Sequence, residues 1–455
     1  MAVSAMEYVR VVKSATCGRS LVFTSKFAPG QCILEELPCA YTLLDNKRGL
    51  YCDFCLKQCS TLKKCSRCNY VSYCNKSCQK GDWARCHKQE CKTLEKIDPR
   101  PPDLHVAQLL SQLIRKQSKS APCTQEDEDC FPTTVDQLES NHEKLSDTKR
   151  NHFESLLCVL KQFLEEDVLA EPSSWLKMYG ATLCNGFSIM DYGLYGLIDI
   201  ANGVYLRASM VNHSCDPNCA WVFDGRKLQV RTVKDVKEGE ECTISYFTAV
   251  NYPTKERQAF LDHVHYFTCK CVKCIEEING LEPDAGLAEE IRGLEKSKEE
   301  IEMQIQFALI TKDWTKVLQL CAPYLKPMDP SSSLPANHLL LVKLREKVMT
   351  SCKHSQAWGV HVEMGQLNIE SVRCHCGPYS DKLGIHLLGM ANILFEMRRI
   401  QEARTYLTEA KRVLEVTHGP QHSLMLTKVQ ELHVTADNTC LASVTDVNKK
   451  TRPFI

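Results

Sequence analysis

The sequence predicts an α+β protein: a β-rich domain interrupted by a metal-binding module and a helical insert, then a helical C-terminal half. Three observations lead there. Cysteines crowd residues 52–91 and 269–274. Alternating β-branched and apolar text stands before the first crowd and resumes near residue 203. From about residue 278 apolar residues recur at helical spacing.

At 455 residues the chain has room for two or three domains. Its 56 basic and 56 acidic side chains cancel, so no global field draws it to nucleic acid or an acidic membrane. No apolar run approaches the length of a membrane span, and the first residues have scattered charges rather than the apolar core of a secretory signal. Its 27 cysteines, odd in number and unevenly clustered, argue for thiolates holding metal in a reducing compartment. The expected location is therefore cytoplasmic and nuclear.

Residues 8–44 read as about three short strands, with turns near Cys17–Ser20 and Ala28–Gly30. The cysteine module follows before any long helix closes a core, so it is expected to be inserted in a domain that resumes later. It holds C-x2-C at Cys52/Cys55 and Cys65/Cys68, C-x3-C at Cys74/Cys78, and H-x3-C at His87/Cys91. Four pairs make eight ligands, enough for two closed tetrahedral zinc sites, and the last two pairs are spaced to share a helix face. Cys59 and Cys86 fall outside the pairing. A saturated zinc site offers no open position, so this module is structural or binds a partner. The pattern resembles the MYND zinc finger. On that resemblance Cys52, Cys55, Cys74 and Cys78 hold one ion, and Cys65, Cys68, His87 and Cys91 the other. So few residues bury little core, and the metal is expected to supply most of the folding free energy.

Residues 93–179 turn helical, most clearly in "DLHVAQLLSQLIRKQ" and "KRNHFESLLCVLKQFLEE", around an acidic loop that reads as solvated surface. Strand text returns at "GVYLRASMVNHSC" and at 219–246, with a hairpin at Asp224-Gly225 and a turn at Glu238-Gly239. A short helix after Tyr246 leads into Cys269-x-Cys271-x2-Cys274. Farther on, Ala391, Ala403 and Ala410, with Leu387, Leu394 and Leu407 between, fit a tetratricopeptide helix pair.

The stretch "NHSCDPNC", residues 212–219, is not decided by its own spacing. Three thiolates at Cys269, Cys271 and Cys274 leave a zinc ion one ligand short, and Cys215 is the natural fourth. A buried free thiol is the alternative. If Cys215 joins, this loop is pinned beside "GEECTISYF", which contains Tyr246. "NHSCDPNC", then "GEECTISYF", then C-x-C-x2-C resemble the catalytic half of a SET domain with its post-SET motif. With the finger inserted early, the order is similar to the SET-and-MYND lysine methyltransferase family over nearly the whole chain.

That resemblance implies a SET fold in which one segment threads a loop. It divides the chain into residues 1–48 and 181–249 (SET), 49–92 (MYND), 93–180 (helical insert), 250–277 (post-SET zinc) and 278–455 (tetratricopeptide-like). It implies three zinc ions and S-adenosylmethionine, whose methyl group moves to a neutral lysine amine by in-line displacement. Catalysis is then mainly alignment and exclusion of water. Asn212 and His213 are expected at the adenine end, largely through backbone groups, and Asn185, Gly18 and Arg19 at the methionine end. Phe267 would stack on adenine, with Glu139 and Asn141 lining the pocket from the insert. Tyr246 is the expected catalytic hydroxyl beside the methyl group, and Phe187 a wall of the lysine channel. Each has a structural reading too: Phe187 and Phe267 as core aromatics, Asn212 as a turn cap, Tyr246 as packing at a strand end.

Two departures from the family pattern stand out. Gly18-Arg19-Ser20 replaces Gly-x-Gly, and serine tolerates positive φ poorly, so weaker cofactor binding is expected. His265 stands where a second channel tyrosine is usual, with Tyr266 its substitute only if the register slips. The leading expectation is a monomeric methyltransferase acting on lysines of histone or non-histone proteins in transcriptional regulation. Its finger and helical domain would hold peptide partners. A catalytically weak zinc-finger adaptor is the second reading. Sequence-specific DNA binding by the finger is the third: Lys63, Lys64, Arg67, Lys76, Lys80, Arg85 and Lys88 can touch phosphate, but charge alone gives only salt-sensitive contact without sequence preference.

Overall fold

The computed structural model describes residues 8–14, 18–97, 99–118, 130–164, 172–193, 196–247, 253–279, 303–325 and 338–437. Strand β1 (Val9–Ser14) turns Val9 and Val11 inward and its charges outward, and pairs antiparallel with β2 (Gly18–Phe23). Strand β3 (Cys32–Glu36) is followed by β4 (Ala40–Leu43), and each joins a different sheet. The finger comes next: a two-residue hairpin of β5 (Lys63–Lys64) and β6 (Ser72–Tyr73), helix α1 (Lys76–Asp82), a π-helical turn Trp83–His87, and α2 (Lys88–Lys96). Three longer helices form the insert, α3 (Leu104–Gln117), α4 (Asp147–Phe163) and α5 (Pro172–Asn185). Most of the expected acidic loop, residues 119–129, lies outside the described residues. So do Cys17 of the first expected turn and residues 438–455.

After the insert come β7 (Gly186–Gly193), β8 (Gly196–Val204), β9 (Asn212–His213), β10 (Cys219–Asp224), β11 (Lys227–Thr232) and β12 (Thr243–Ile244). The sheets run β4-β8-β7 and β10-β11-β3, so strands from both sides of the finger share each one. Val9, Leu21, Phe23, Ile33 and Leu43 pack in one core with Ile189, Ile200, Leu228, Val230 and Ile244. The β-rich domain is thus one body with the finger and insert looped out of it. The hairpin at Asp224-Gly225 and the turn at Gly239 form as expected, both glycines at left-handed φ.

Two expectations need correction. Strands β7 and β8 form a long hairpin that the sequence reading does not contain, because the apolar pairs Ile189-Met190, where the register shifts, and Leu197-Ile198 break the alternation. Conversely, "GVYLRASMVNHSC" is a strand only at its ends; Ala208–Met210 is a 3-10 turn. The buried Glu36 carboxylate causes the break, accepting the backbone N–H groups of Arg207 (3.1 Å) and Ala208 (2.9 Å).

Helices α6 (Thr254–His265) and α7 (Val272–Asn279) lead to the C-terminal helices Trp314–Leu325, Leu339–Ser355, Trp358–Cys376, Asp381–Glu396 and Ile400–Thr417. The pair 381–417 is a packed hairpin with Ala391, Ala403 and Ala410 fully buried in it, which is what the small-residue spacing anticipated. No helix among the described residues is long and apolar enough to cross a membrane.

His361 in this region is buried, 2 % exposed, with Nδ1 against the Met349 carbonyl at 3.0 Å, and burial pushes its pKa down to about 4. An unfolded histidine takes a proton near pH 6.5, so between those values the unfolded chain binds more protons and stability rises with pH. The contribution is full above pH 6.5 and is lost as pH falls towards 4, at most about 3 kcal/mol. Urea titrations at pH 7 and pH 4.5 should show that loss in the wild type and a smaller one in His361→Gln.

Candidate active site and metal centres

Thiolates held about 2.3 Å from a tetrahedral zinc ion lie about 3.8 Å apart. Three clusters have that geometry, their ligand atoms all within 4.8 Å of one another: Cys52, Cys55, Cys74 and Cys78; Cys65, Cys68, His87 and Cys91; Cys215, Cys269, Cys271 and Cys274. Cys55 and Cys74 stand 3.8 Å apart, Cys65 and Cys91 3.8 Å, and Cys68 lies 3.7 Å from His87 Nε2. In the third cluster Cys215 and Cys274 are 3.5 Å apart. All three sets fit zinc, and the pairing within the finger alternates as expected. Local structure sets the first: Asn75 caps α1 by accepting the Cys78 N–H at 2.8 Å, which turns Cys78 back towards Cys74. Arg85, one of the seven basic residues considered for DNA contact, is committed elsewhere, to Asp82 at 2.8 Å and Gln112 at 2.8 Å.

Membership of the third cluster fixes the loop 212–219. Strand β9 pairs in parallel with β12, Asn212 opposite Thr243 and His213 opposite Ile244, and Ser214 N–H continues to the Ile244 carbonyl at 3.0 Å. On its other side the segment leading into β12 bonds to β2: Cys242 N–H donates to Leu21 O at 2.7 Å and Phe23 N–H to Glu240 O at 3.0 Å. The chain therefore runs between β2 and β9, as the threaded arrangement requires.

Around this crossing the expected polar residues converge. The Asn212 side-chain amide donates to the Arg19 carbonyl at 3.3 Å and to Glu241 at 2.9 Å. The Asn185 amide donates to the carbonyls of Glu139 and Ala181, both at 2.8 Å, leaving its oxygen for another partner. Arg19 bonds to the Gln137 carbonyl. Asn141 takes a left-handed φ of 44° and lies 3.8 Å from the Cys184 sulfur. Gly180 lets α5 approach this segment, since a Cβ there would sit 2.5 Å from the Ser140 carbonyl. Gly18 begins β2 with φ +68°, whereas Ser20 is an ordinary strand residue opposite Val12. The strain expected at Ser20 is therefore absent, because only Gly18 needs the left-handed backbone.

Beside this rim lies a cavity of about 270 Å³ walled by Phe187, Trp221, Tyr246, Phe260 and His265. Phe187 packs edge-on against Trp221 at 5.6 Å, and Tyr246 faces His265 at 4.7 Å and Phe267 at 6.4 Å. The Tyr246 hydroxyl donates to the Val211 carbonyl at 2.9 Å, and burial pushes its pKa above the usual phenol range. Burial, helped by Lys149, pushes His265 down to about 4, so its ring is neutral at physiological pH. Tyr266, at the left-handed end of α6, turns away, its hydroxyl 3.2 Å from the Lys149 ammonium. No register slip brings it to the cavity; His265 holds that place. Trp221 and Phe260 escaped the sequence reading, because alternation says only that Trp221 sits on a strand. Its indole N–H bond to the Ser245 carbonyl, 2.9 Å, aligns it with the segment after β12 that carries Tyr246.

The family model described as the SET domain matches residues 18–247, which is 230 of the 455 residues. Human histone-lysine N-methyltransferase SMYD3 is 29 % identical over 92 % of this chain and 96 % of its own length. Human N-lysine methyltransferase SMYD2 is 27 % identical over 91 % of this chain and 95 % of its own. A likeness to the solved SET domain of LSMT has a TM-score of 0.34 at 13 % identity, covering 96 % of this chain and 88 % of that one, too slight to carry an argument.

Because each finger ion has four dedicated ligands, Cys74→Ser should lower bound zinc from three ions per chain to two by metal analysis. Limited proteolysis should then cut within residues 52–91 while the β-rich body survives.

Proposed function

The chain belongs to the SET domain family, in the branch that carries a MYND zinc finger within the SET domain, and from that premise we propose that it is a protein-lysine N-methyltransferase acting on histone or other proteins. The observation that carries this reading is the aromatic cavity opening beside a polar rim drawn from four separate chain segments. S-adenosylmethionine, when bound at that rim, supplies an electrophilic methyl group. Gly18, Arg19, Asn185 and Asn212 would hold it, with Phe267 as the aromatic face at its adenine end and Glu139 and Asn141 bordering it from the insert. His213 shapes the same end through the backbone pairing of β9 with β12.

The substrate lysine enters between Phe187, Trp221, Tyr246 and His265. These walls exclude water and disfavour the ammonium form, so the amine is held neutral and nucleophilic. With its hydrogen committed to the Val211 carbonyl, the Tyr246 hydroxyl presents oxygen lone pairs to an amine N–H and turns the nitrogen lone pair towards the methyl carbon. No covalent enzyme intermediate is formed. Protein partners meet the finger and the C-terminal helices, and the protein works in the nucleus and cytoplasm, in transcriptional regulation. The adaptor alternative loses one of its two supports now that Ser20 carries no strain.

Calorimetry with S-adenosylmethionine should show Asn212→Ala weakening binding at least about tenfold, since a charge-assisted tie across the site is removed. Tyr246→Phe should keep cofactor affinity and slow methyl transfer to a lysine peptide by roughly 100-fold. Unchanged transfer in Tyr246→Phe, or no binding by the zinc-loaded wild type, overturns the proposal. The rate should rise with pH as the substrate amine loses its proton. Neutral His265 should add no limb above pH 5, so kcat/KM profiles of wild type and His265→Phe should have the same shape.

A further inference from the structure

His213 sits between the third metal cluster and the proposed catalytic tyrosine, and both of its ring nitrogens are engaged. Its Nδ1 lies 3.0 Å from the backbone N–H of Tyr246 and its Nε2 3.3 Å from the sulfur of Cys215. A backbone amide only donates, so Nδ1 carries the lone pair and the ring proton resides on Nε2, aimed at the sulfur. A metal-bound thiolate is the acceptor that this orientation satisfies. Arg257 of α6 approaches the same cluster from the other side. Its Nε donates to Cys215 at 3.3 Å and its terminal nitrogen to Cys274 at 3.6 Å, while Glu277 of α7 and Thr254 hold the guanidinium in place. Four thiolates around a dication carry two excess negative charges. The half-buried cluster keeps that charge because a cation and an imidazole N–H are turned onto its sulfurs.

We propose that His213 and Arg257 are positioning residues that couple the third zinc site to the backbone of Tyr246. In this arrangement the ion does more than staple two segments. It fixes the Cys215 thiolate, the thiolate orients the imidazole, and the imidazole Nδ1 holds the amide of the residue whose hydroxyl meets the substrate. Tyr246 is thereby tethered at both ends, at its N–H through His213 and at its hydroxyl through Val211. The link between metal and tyrosine rests on the functional reading above only for what Tyr246 does; the hydrogen bonds that make it are independent of that reading. This also gives His213 a task distinct from the adenine contact expected of it.

The test uses the full chain loaded with zinc and a chromophoric chelator that reports each ion as it leaves. His213→Phe keeps the aromatic packing against Tyr246 and Phe247 and removes both hydrogen bonds. Arg257→Met removes the cation and keeps its length. In both variants one ion of three should leave at least about tenfold faster than in wild type, the other two keeping their wild-type rates. Arg257→Lys should recover part of the loss. Cys271→Ser, which empties the site and also releases the clamp on the loop, should weaken S-adenosylmethionine binding at least as much as His213→Phe does, and the double variant should lose no more than Cys271→Ser alone. Unchanged release of the third ion in both variants, or additive losses in the double, overturns the coupling. Accelerated release together with no methyl transfer by the wild type to any lysine peptide would leave the coupling standing and overturn the methyltransferase reading instead.

Discussion

Every part of the proposed site depends on the placement of residues 239–244 between β2 and β9. These few residues bond to the N-terminal strand on one edge, through Leu21 and Phe23, and pair in parallel with Asn212–His213 on the other. Residues as far as 193 positions apart are thereby brought within hydrogen-bonding distance: the Asn212 amide meets the Arg19 carbonyl and the Glu241 carboxylate. The pairing is short, and two-residue strands have little stability of their own. It is held because Cys242 and Ile244 are fully buried in the main core on one side of it. The third metal cluster clamps the loop that follows β9 on the other.

The finger and the insert are joined to this body by buried polar contacts rather than by a hinge. Arg48 bonds to Asp53 and Gln108, Gln108 to Glu90, and Glu90 to Arg115, which also reaches the Phe163 carbonyl at 3.1 Å. Removing one member would strand a charge away from water, which costs several kcal/mol, so the elements keep a fixed relation. Gly225, at the tip of the β10–β11 hairpin, tightens the contact further, since a Cβ there would lie 2.6 Å from the Cys55 carbonyl. A finger held this way presents a rigid surface. Its metal ions shape that surface and take no part in the chemistry.

The C-terminal helices dock on the same body through specific bonds, not through apolar packing alone. Arg231 of β11 donates to the Val416 carbonyl, His422 bonds to the Phe223 carbonyl at 2.9 Å, and Tyr192 bonds to His418. Lys382 reaches the Phe247 carbonyl at 3.0 Å and Lys273 the His375 carbonyl at 3.0 Å. These last two bonds fall beside the segment carrying Tyr246 and beside the third metal cluster. The helical half therefore packs against the back of the cavity wall: His375 and Lys382 share a neighbouring pocket with Trp221 and Ser245, which also line the cavity.

The sequence by itself determined the metal ligands, since thiolate and imidazole pairs at turn and helix spacing have few other uses, and the order of motifs identified the family. It also placed Asn185, Asn212, Tyr246 and His265, because each lies in or beside a recognisable stretch. Periodicity located the insert and the C-terminal helices, including the three buried alanines of the last pair. What only the tertiary structure decided are relations between distant segments. Glu36 breaks the strand expected at 205–211 by accepting its amides, and nothing local to that stretch signals it. Trp221 and Phe260 line the cavity through the sheet register and the angle of α6, which spacing does not encode. Ser20 is unstrained because the pairing with β1 makes it an ordinary strand residue. The second task of His213 follows from which groups face its two nitrogens. Hydrogen-bond partners brought in from elsewhere in the fold choose the tautomer, so no reading of "NHSC" alone could assign it.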